Sequence, residues 1–197
     1  DRGNGHYAYI DGPEQIQRIF VENLTGTLEV IASDVKIQVD FNPAVVRSYR
    51  LIGYENREVA DNKFRDDKED GGEVGAGHQV TALYEVKLQN SWRADNLATV
   101  YVRYKNPDNG RADEISRKIS RRALKENVTF CSSDFKLAAA ASEIAEILGN
   151  SYWAQNSSLE QVLRLAESIR SEGGRTETME LIEMIKMAER LDNRHAE

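Results

Sequence analysis

The chain has 197 residues, which suggests one or two domains, and 40% of them are hydrophobic while 30% are charged. This composition supplies a hydrophobic core and excludes an intrinsically disordered chain. The formal net charge of -7 argues against a general nucleic-acid binder, which needs clustered lysine and arginine, so no nucleic-acid partner is expected.

The first 26 residues are predicted to form a strand followed by a helix. Residues 6–10 are short and aromatic with strand character, and residues 11–14, Asp-Gly-Pro-Glu, favour the start of a helix. Apolar side chains then recur on one helical face, at Ile16, Ile19, Phe20 and Leu24. The helix is expected to end at Gly26.

Alternation of apolar and polar residues predicts five or six antiparallel strands after residue 26. The alternating runs cover residues 28–32, 35–41, 80–88 and 98–104, and residues 49–55 are a further strand candidate. The run 35–41 is expected to be half-buried. A sixth strand around Ile115 and Ile119 is favoured over a helical turn, because the hairpin signal Asn109-Gly110 precedes it.

Two polar stretches interrupt this pattern. Residues 56–78 are rich in acidic residues and glycine, and they are predicted to be mostly a long loop. The basic run of Arg117, Lys118, Arg121 and Arg122 is the one local exception to the acidic balance. Such a run is more often the solvated face of a strand or loop than a binding patch.

The pattern becomes helical after Phe130, and three helices are predicted. The first covers residues 134–148, and the second begins at a capping box formed by Ser157 and Glu160. The third carries the methionines Met179, Met184 and Met187, which more often pack in a core than line a partner-binding groove.

Strands followed by helices predict the α+β fold class. We expect an antiparallel β-sandwich-like domain over residues 27–130 and a three-helix C-terminal segment over residues 131–197. The strand and helix of residues 1–26 precede them. No apolar stretch approaches the ~20 residues of a transmembrane helix, so no membrane span is expected.

No motif for catalysis, metal binding or cofactor binding stands out. An EF-hand loop starting at Asp66 would place Lys68 at its third position and Gly77 at its twelfth, where oxygen ligands are needed. The three histidines are scattered, and the Gly-x-Ser-x-Gly motif of hydrolases is absent. Cys131 is the only cysteine and has no base beside it, which favours a structural thiol. We therefore expect no enzyme, no metal and no cofactor.

The most distinctive stretch is residues 49–57, where two tyrosines and two arginines surround a short apolar strand. Tyrosine and arginine are enriched at protein interfaces, so the interaction candidates are Tyr49, Arg50, Tyr54 and Arg57. The alternative is an ordinary core or edge strand whose arginines pair with nearby acids. A second alternative places a cryptic hydrolase or carbohydrate-binding site in the loop 61–78.

Several stretches resemble a known family. Residues 3–11, Gly-Asn-Gly-His-Tyr-Ala-Tyr-Ile-Asp, with the helix after them, look like the last strand and helix of a von Willebrand factor type A domain. Residues 32–43, 49–57 and 75–85, and the helical part from Ser133, resemble the region that follows this domain in the bacterial YfbK-like family.

The resemblance implies that residues 1–26 are the end of a type A domain and that the chain is a piece of a longer protein. It also implies an extracytoplasmic location, in the periplasm or cell envelope, often through a lipoprotein signal. Type A domains bind a divalent cation through an Asp-x-Ser-x-Ser loop. That motif is absent here, so no metal ligand is carried over.

The expected function is that of a non-enzymatic protein-interaction or scaffold module. Its expected partners are the type A domain of the same protein and an unidentified protein. If residues 7–24 are the end of a domain that this chain lacks, their apolar faces have lost their packing partners. Such faces predict a homodimer of this chain or an open hydrophobic patch.

Overall fold

A computed structural model describes residues 29–53, 63–171 and 176–195, together with Gly12 and Ile16. The strand and helix predicted for residues 1–26 lie outside the described residues, apart from those two. Tyr54 and Arg57 also lie outside them.

The described residues form six strands in two sheets. The strands are β1 (Val30–Phe41), β2 (Val46–Ile52), β3 (Gly72–Gly75), β4 (Leu83–Leu88), β5 (Asn96–Lys105) and β6 (Ala112–Ser120). Four of them make an antiparallel sheet in the order β3-β1-β5-β6, and β2 pairs with β4 in a second sheet. The sixth strand that was favoured over a helical turn is therefore confirmed as β6.

Three α-helices follow the strands. They are α1 (Ser133–Leu148), α2 (Leu159–Ser171) and α3 (Thr176–His195). Short 3-10 turns cover Arg121–Ala123, Val128–Phe130 and Tyr152–Ala154. Within the described part of the chain, no helix is both long enough and apolar enough to cross a membrane. This order of antiparallel strands and then three helices confirms the predicted α+β class.

The chain folds into two compact units, each with its own core. The described residues of the first unit, here called the sheet unit, are 29–49, 63–80 and 86–123. Those of the second, here called the helical unit, are 50–53, 81–85, 124–171 and 176–195. The domain boundaries predicted at residues 26 and 130 stay a prediction.

The core of the sheet unit draws on both sheets. Val45 is fully buried, and Val46 and Leu97 are 5% and 8% exposed. Partly buried side chains from the strands and loops pack against these three, namely Phe41, Val86, Leu88, Trp92, Ala94 and Ile119. A shared apolar cluster of this kind is what gives the unit its sandwich-like character.

The core of the helical unit is a stripe from each of the three helices. Its buried residues are Ala140, Ile144, Val162, Ala166, Leu181, Ile182 and Ile185. The expectation that the methionines belong to this core is wrong, because Met179, Met184 and Met187 are 40%, 53% and 59% exposed. They lie off the stripe through Leu181, Ile182 and Ile185 that faces the other helices.

β1 departs from the simple alternation expected of a half-buried strand. Two separate runs, 28–32 and 35–41, were predicted, but the structure has one strand with a bulge. The register with β5 shifts between Ser33 and Lys36, and Asp34 in the bulge has a positive φ of 52°. Past the bulge, Lys36 is 3% exposed and Ile37 is 46% exposed, whereas Phe41 at the end of the strand packs against the core as the alternation predicts.

The two sheets differ from the prediction in further details. β2 begins at Val46 rather than at Tyr49, and β4 begins at Leu83 rather than at residue 80. The long loop contains the short strand β3, which pairs with β1.

α2 is capped by Ser158, whose Oγ accepts a hydrogen bond of 3.3 Å from the backbone amide of Gln161. Ser157, the predicted cap, donates instead to the Glu143 carboxylate.

Candidate functional site

Arg50, one of the predicted interaction residues, is held by two carboxylates of the helical unit. Its Nε donates a hydrogen bond of 2.7 Å to Oε2 of Glu85, on β4. Its Nη2 lies 3.3 Å from Oε2 of Glu146, on α1. Burial disfavours the charged guanidinium, but Glu85 and Glu146 together outweigh burial and raise the pKa of Arg50.

The guanidinium of Arg50 also lies over an aromatic ring. Its central carbon is 4.8 Å from the centroid of the Trp153 ring, within cation–π range. The neighbouring Tyr152 contacts Trp153 edge-on, with the ring centroids 5.3 Å apart and an interplanar angle of 85°.

The loop after α1 places these two aromatic residues. The Oγ of Ser151 accepts a hydrogen bond of 3.3 Å from the backbone amide of Trp153 and donates one of 2.7 Å to Glu146. Glu146 therefore binds both Arg50 and the residue that starts the Tyr152–Ala154 turn. We call this group the arginine–tryptophan corner, and its members are Arg50, Glu85, Glu146, Ser151, Tyr152 and Trp153.

The corner presents its aromatic residues to solvent, whereas Arg50 and Glu146 are largely buried. Tyr152 is 71% exposed and Trp153 is 55% exposed. The side chains of Arg50 and Glu146 are only 21% and 13% exposed. Tyr152 and Trp153 were not among the interaction residues predicted from the sequence. Their one signal is an adjacent tyrosine and tryptophan immediately after the helix stop Gly149-Asn150.

Tyr49 belongs to the sheet unit. Its ring centroid lies 4.4 Å from that of Phe41, and the residue is 52% exposed. Tyr54 and Arg57 lie outside the described residues. Of the four predicted interaction residues, the structure thus describes Tyr49 and Arg50, and it places an ionic network around Arg50.

The acidic loop, site of the second alternative, is bound to the bulge of β1 through Asp34. The Asp34 carboxylate accepts a hydrogen bond of 2.7 Å from the backbone amide of Gly71. It lies 2.7 Å from Nζ of Lys105 and 3.4 Å from Nζ of Lys36. Lys36 also donates to the backbone carbonyl of Asp66 at 2.8 Å. These contacts connect the loop to β1 and β5.

The same contacts set the ionisation of Asp34. Its burial raises the pKa of the carboxyl, but the hydrogen bond from Lys105, the charge of Lys36 and the amide of Gly71 together lower it below its ordinary value. The hydrogen bond to Asp34 in turn raises the pKa of Lys105, against the effect of desolvation. The pair is therefore ionised at neutral pH.

Further contacts hold the loop on the sheet. Arg65 forms two hydrogen bonds, of 2.9 and 2.8 Å, with the Glu114 carboxylate on β6. Arg103 on β5 donates to Asp67 at 2.8 Å. Phe64 is 2% exposed, and the guanidinium carbon of Arg65 lies 5.5 Å from the centroid of its ring. The described part of the loop is therefore a layer packed on the sheet.

An open cleft of about 300 Å³ lies beside this loop, and acidic residues dominate its lining. The described residues that line it are Ser33, Asp34, Asp67, Lys68, Glu69, Asp70, Gly71, Glu73 and Lys105. His78 is not among them, and its Nδ1 accepts a hydrogen bond of 3.2 Å from the amide of Gly75. No group of three or more potential metal ligands occurs within the described ranges. The hydrolase or carbohydrate reading of residues 61–78 stays a prediction.

Comparison with known proteins confirms the resemblance to the YfbK-like family. The family model described as "Uncharacterized protein YfbK, C-terminal" matches residues 26–93 and 87–191. An uncharacterized protein YfbK from Escherichia coli (strain K12) is 30% identical over 207 residues, which cover 96% of this chain and 35% of that relative. The chain therefore spans about a third of the length of this relative. No solved structure matches the chain.

Proposed function

We propose that this chain, which belongs to the YfbK C-terminal family, is a non-enzymatic protein-interaction and scaffold module. The observation that carries this proposal is the arginine–tryptophan corner. It combines a largely exposed tyrosine and tryptophan with an arginine that two carboxylates hold in place.

The chemistry of the corner suits a protein surface. Tryptophan, tyrosine and arginine are the residue types that most often dominate the energy of protein interfaces. Exposing large aromatic rings to water is unfavourable, and a partner that covers Tyr152 and Trp153 would remove that cost. Because Arg50 and Ser151 already fix the position of Trp153, little conformational entropy is lost on binding.

The partner that we propose is the type A domain of the same protein. The chain covers 35% of its YfbK relative, so most of that relative lies outside the matched part and offers a surface for the corner. The likeness of residues 3–11 to the last strand of a type A domain supports a domain of this kind next to the chain. An extracytoplasmic location follows from the same likeness, and a further protein would bind to the assembled pair.

Titration of the purified chain with the preceding region of a YfbK-like protein, type A domain included, tests this proposal. Calorimetry is done once with magnesium and once with chelator, since type A domains bind a divalent cation. We expect Trp153→Ala and Tyr152→Ala to weaken binding about tenfold or more, as for central interface residues. Equal affinities for the variants and the unsubstituted chain would contradict the role of the corner.

Phe130→Ala is the matched control. Phe130 is 69% exposed, close to the exposure of Tyr152. It precedes α1, whereas the corner follows α1, and a helix of 16 residues separates its ends by about 24 Å. We expect this variant to bind like the unsubstituted chain. Absence of binding both with magnesium and with chelator would contradict the type A domain as partner.

The predicted homodimer is a separate part of the proposal. Light scattering on the same sample of the chain gives its oligomeric state, and a hydrophobic dye reports open apolar surface. We expect a dimer or dye binding. A monomer that binds no dye would contradict the open apolar face on which the dimer rests.

A further inference from the structure

A second cleft, of about 630 Å³, lies on the sheet unit and has a basic lining. The described residues that line it are Ala44, Asn90, Ser91, Trp92, Arg93, Ala94 and Arg121. We call it the basic cleft. None of these described residues is acidic, although the chain as a whole has a net charge of -7. Its volume falls within the range of about 300–1,000 Å³ that small-ligand sites occupy.

Hydrogen bonds between backbone segments fix the walls of the basic cleft. The amide of Gln89 donates to the carbonyl of Val45 at 2.8 Å, and its side chain donates to the carbonyl of Pro43 at 3.1 Å. The side-chain amide of Asn42 donates to the carbonyl of Asn96 at 2.8 Å. The turn after β1 is thereby bonded to both ends of the loop between β4 and β5. The cleft is therefore preformed.

Trp92 and Arg121 contact each other in the lining of this cleft. Trp92 packs against the buried cluster of Val45, Val46 and Leu97, which anchors its ring. The guanidinium carbon of Arg121 lies 4.8 Å from the centroid of that ring. The stacking orients the flat guanidinium and leaves the N–H groups at its edge available for a ligand.

Among the described residues, none pairs ionically with the two arginines of the cleft. Arg50, Arg65 and Arg103 each contact a carboxylate. By contrast, in the part of the chain that the structure describes, the guanidinium groups of Arg93 and Arg121 form no ion pair or hydrogen bond. The adjacent Asp95 contributes its backbone carbonyl, which accepts the amide of Arg121 at 2.7 Å, and its side chain is not in the lining.

We propose that the basic cleft binds the oxyanion group, carboxylate or phosphate, of an anionic ligand. Arg121 supplies a bidentate pair of donors, because the planar guanidinium matches the two oxygens of either group. Arg93 supplies a second positive charge, and Asn90 and Ser91 add polar contacts. The exposed edge of Trp92 packs against the part of the ligand that carries the anion.

Two probes distinguish the sources of the oxyanion, namely inorganic phosphate and a short acidic peptide of three glutamates with blocked ends. The chain has two tryptophans, so in a Trp153→Phe background the fluorescence reports on Trp92 alone. Calorimetry with the unsubstituted chain in low-salt buffer gives an independent affinity. We expect a saturable signal with at least one probe, and the probe that binds identifies phosphate or carboxylate chemistry.

Variants at two neighbouring arginines distinguish a specific binding site from non-specific attraction by the positive charge of the basic run. Arg121→Gln is expected to weaken binding about tenfold or more, since it removes a charge-assisted hydrogen-bond pair. Arg121→Lys keeps the charge but loses the planar fork and the stacking, so it is also expected to bind more weakly. Arg122→Gln is the control, because Arg122 is exposed and does not line the cleft.

Two results would overturn the proposal. One is the absence of a saturable signal with either probe up to about 10 mM, where even a Kd of 1 mM would give clear binding. The other is an equal loss of affinity for the probe in the Arg121→Gln and Arg122→Gln variants. That result would mean that binding depends only on the general charge of the basic run. Circular dichroism checks that each variant is folded. If Arg121→Gln is unfolded, the affinity of Arg121→Lys is compared with that of Arg122→Gln instead.

Discussion

The backbone amide of Gly71 lies 2.7 Å from Oδ1 of Asp34 and donates a hydrogen bond to it. Asp34 has a φ of 52°, a left-handed conformation that is unfavourable for most residues and better tolerated by aspartate and asparagine. This contact joins the acidic loop to the bulge of β1, and it brings the two backbones too close together for a side chain on Gly71.

Gly71→Ala is therefore expected to destabilise the sheet unit. A Cβ at this position would lie 2.6 Å from the carbonyl carbon of Asp34, and backbone cannot move away as a flexible side chain can. We expect a loss of about 1–3 kcal/mol in the free energy of unfolding, measured by denaturant titration. Gly72→Ala is the control, because its Cβ would meet nothing closer than 4.0 Å. Equal stability of the two variants would contradict the close approach.

Asp34→Asn isolates the charge of Asp34 from its geometry. Asparagine tolerates the left-handed conformation and keeps an oxygen for the Gly71 amide, but it leaves the ammonium of Lys36, whose side chain is 1% exposed, without a buried counter-charge. We expect a loss of about 2–4 kcal/mol in the free energy of unfolding. Asp67→Asn removes an ion pair whose carboxylate is 59% exposed, and water should screen most of its effect. A larger loss of stability for Asp67→Asn than for Asp34→Asn would contradict the role of the Asp34 charge as counter-ion of Lys36.

The low pKa of Asp34 predicts a specific dependence of stability on pH. Its pKa in the folded chain lies below the ordinary value of 3.8, so in acid the unfolded chain takes up the proton more readily. Its contribution is complete above pH 3.8 and is lost as the pH falls through the folded value. The free energy of unfolding should therefore fall less steeply with decreasing pH for Asp34→Asn than for the unsubstituted chain. Identical slopes would show that Asp34 contributes nothing to acid unfolding.

Five of the six described strands and the three C-terminal helices were predictable, because their periods are local properties of the sequence. The burial of Lys36 and the exposure of Ile37 were not predictable, because they occur beside the bulge at Asp34. That bulge is held by Lys105 and by Gly71, which are distant along the chain. From the sequence alone, Lys36 looks like a solvated residue and Ile37 like a core residue, whereas the structure has the opposite arrangement.

The same limit applies to the candidate site. Arg50 stood out because a short strand with two tyrosines and two arginines is unusual. Its contacts with Glu85 and Glu146 could not be predicted, because one acid is on another strand and the other is on a helix. Trp153 became a candidate only once its ring was found beside the Arg50 guanidinium.

Replacement of Ser158 tests the start of α2. Its Oγ accepts the amide of Gln161, so Ser158→Ala should cost about 1 kcal/mol of stability, the usual value of an N-terminal cap. Ser157→Ala should act through a different partner, because Ser157 contacts the Glu143 carboxylate. Its effect should disappear in a Glu143→Ala background, and that of Ser158→Ala should remain. Loss of the Ser158 effect in this background would contradict the cap.

A double-mutant cycle between Arg50 and Glu146 tests whether the arginine–tryptophan corner is rigid. Both side chains are largely buried, and Glu146 also binds Ser151, so we expect a coupling energy of about 1–2 kcal/mol from Arg50→Gln and Glu146→Gln. The control is Arg164 with Glu160 on α2, whose side chains are 59% and 74% exposed and whose coupling should stay below about 0.5 kcal/mol. A coupling energy no larger than that of the control pair would mean that Arg50 does not hold Trp153 in place. Binding of a partner would then have to order the arginine–tryptophan corner, at a cost in conformational entropy.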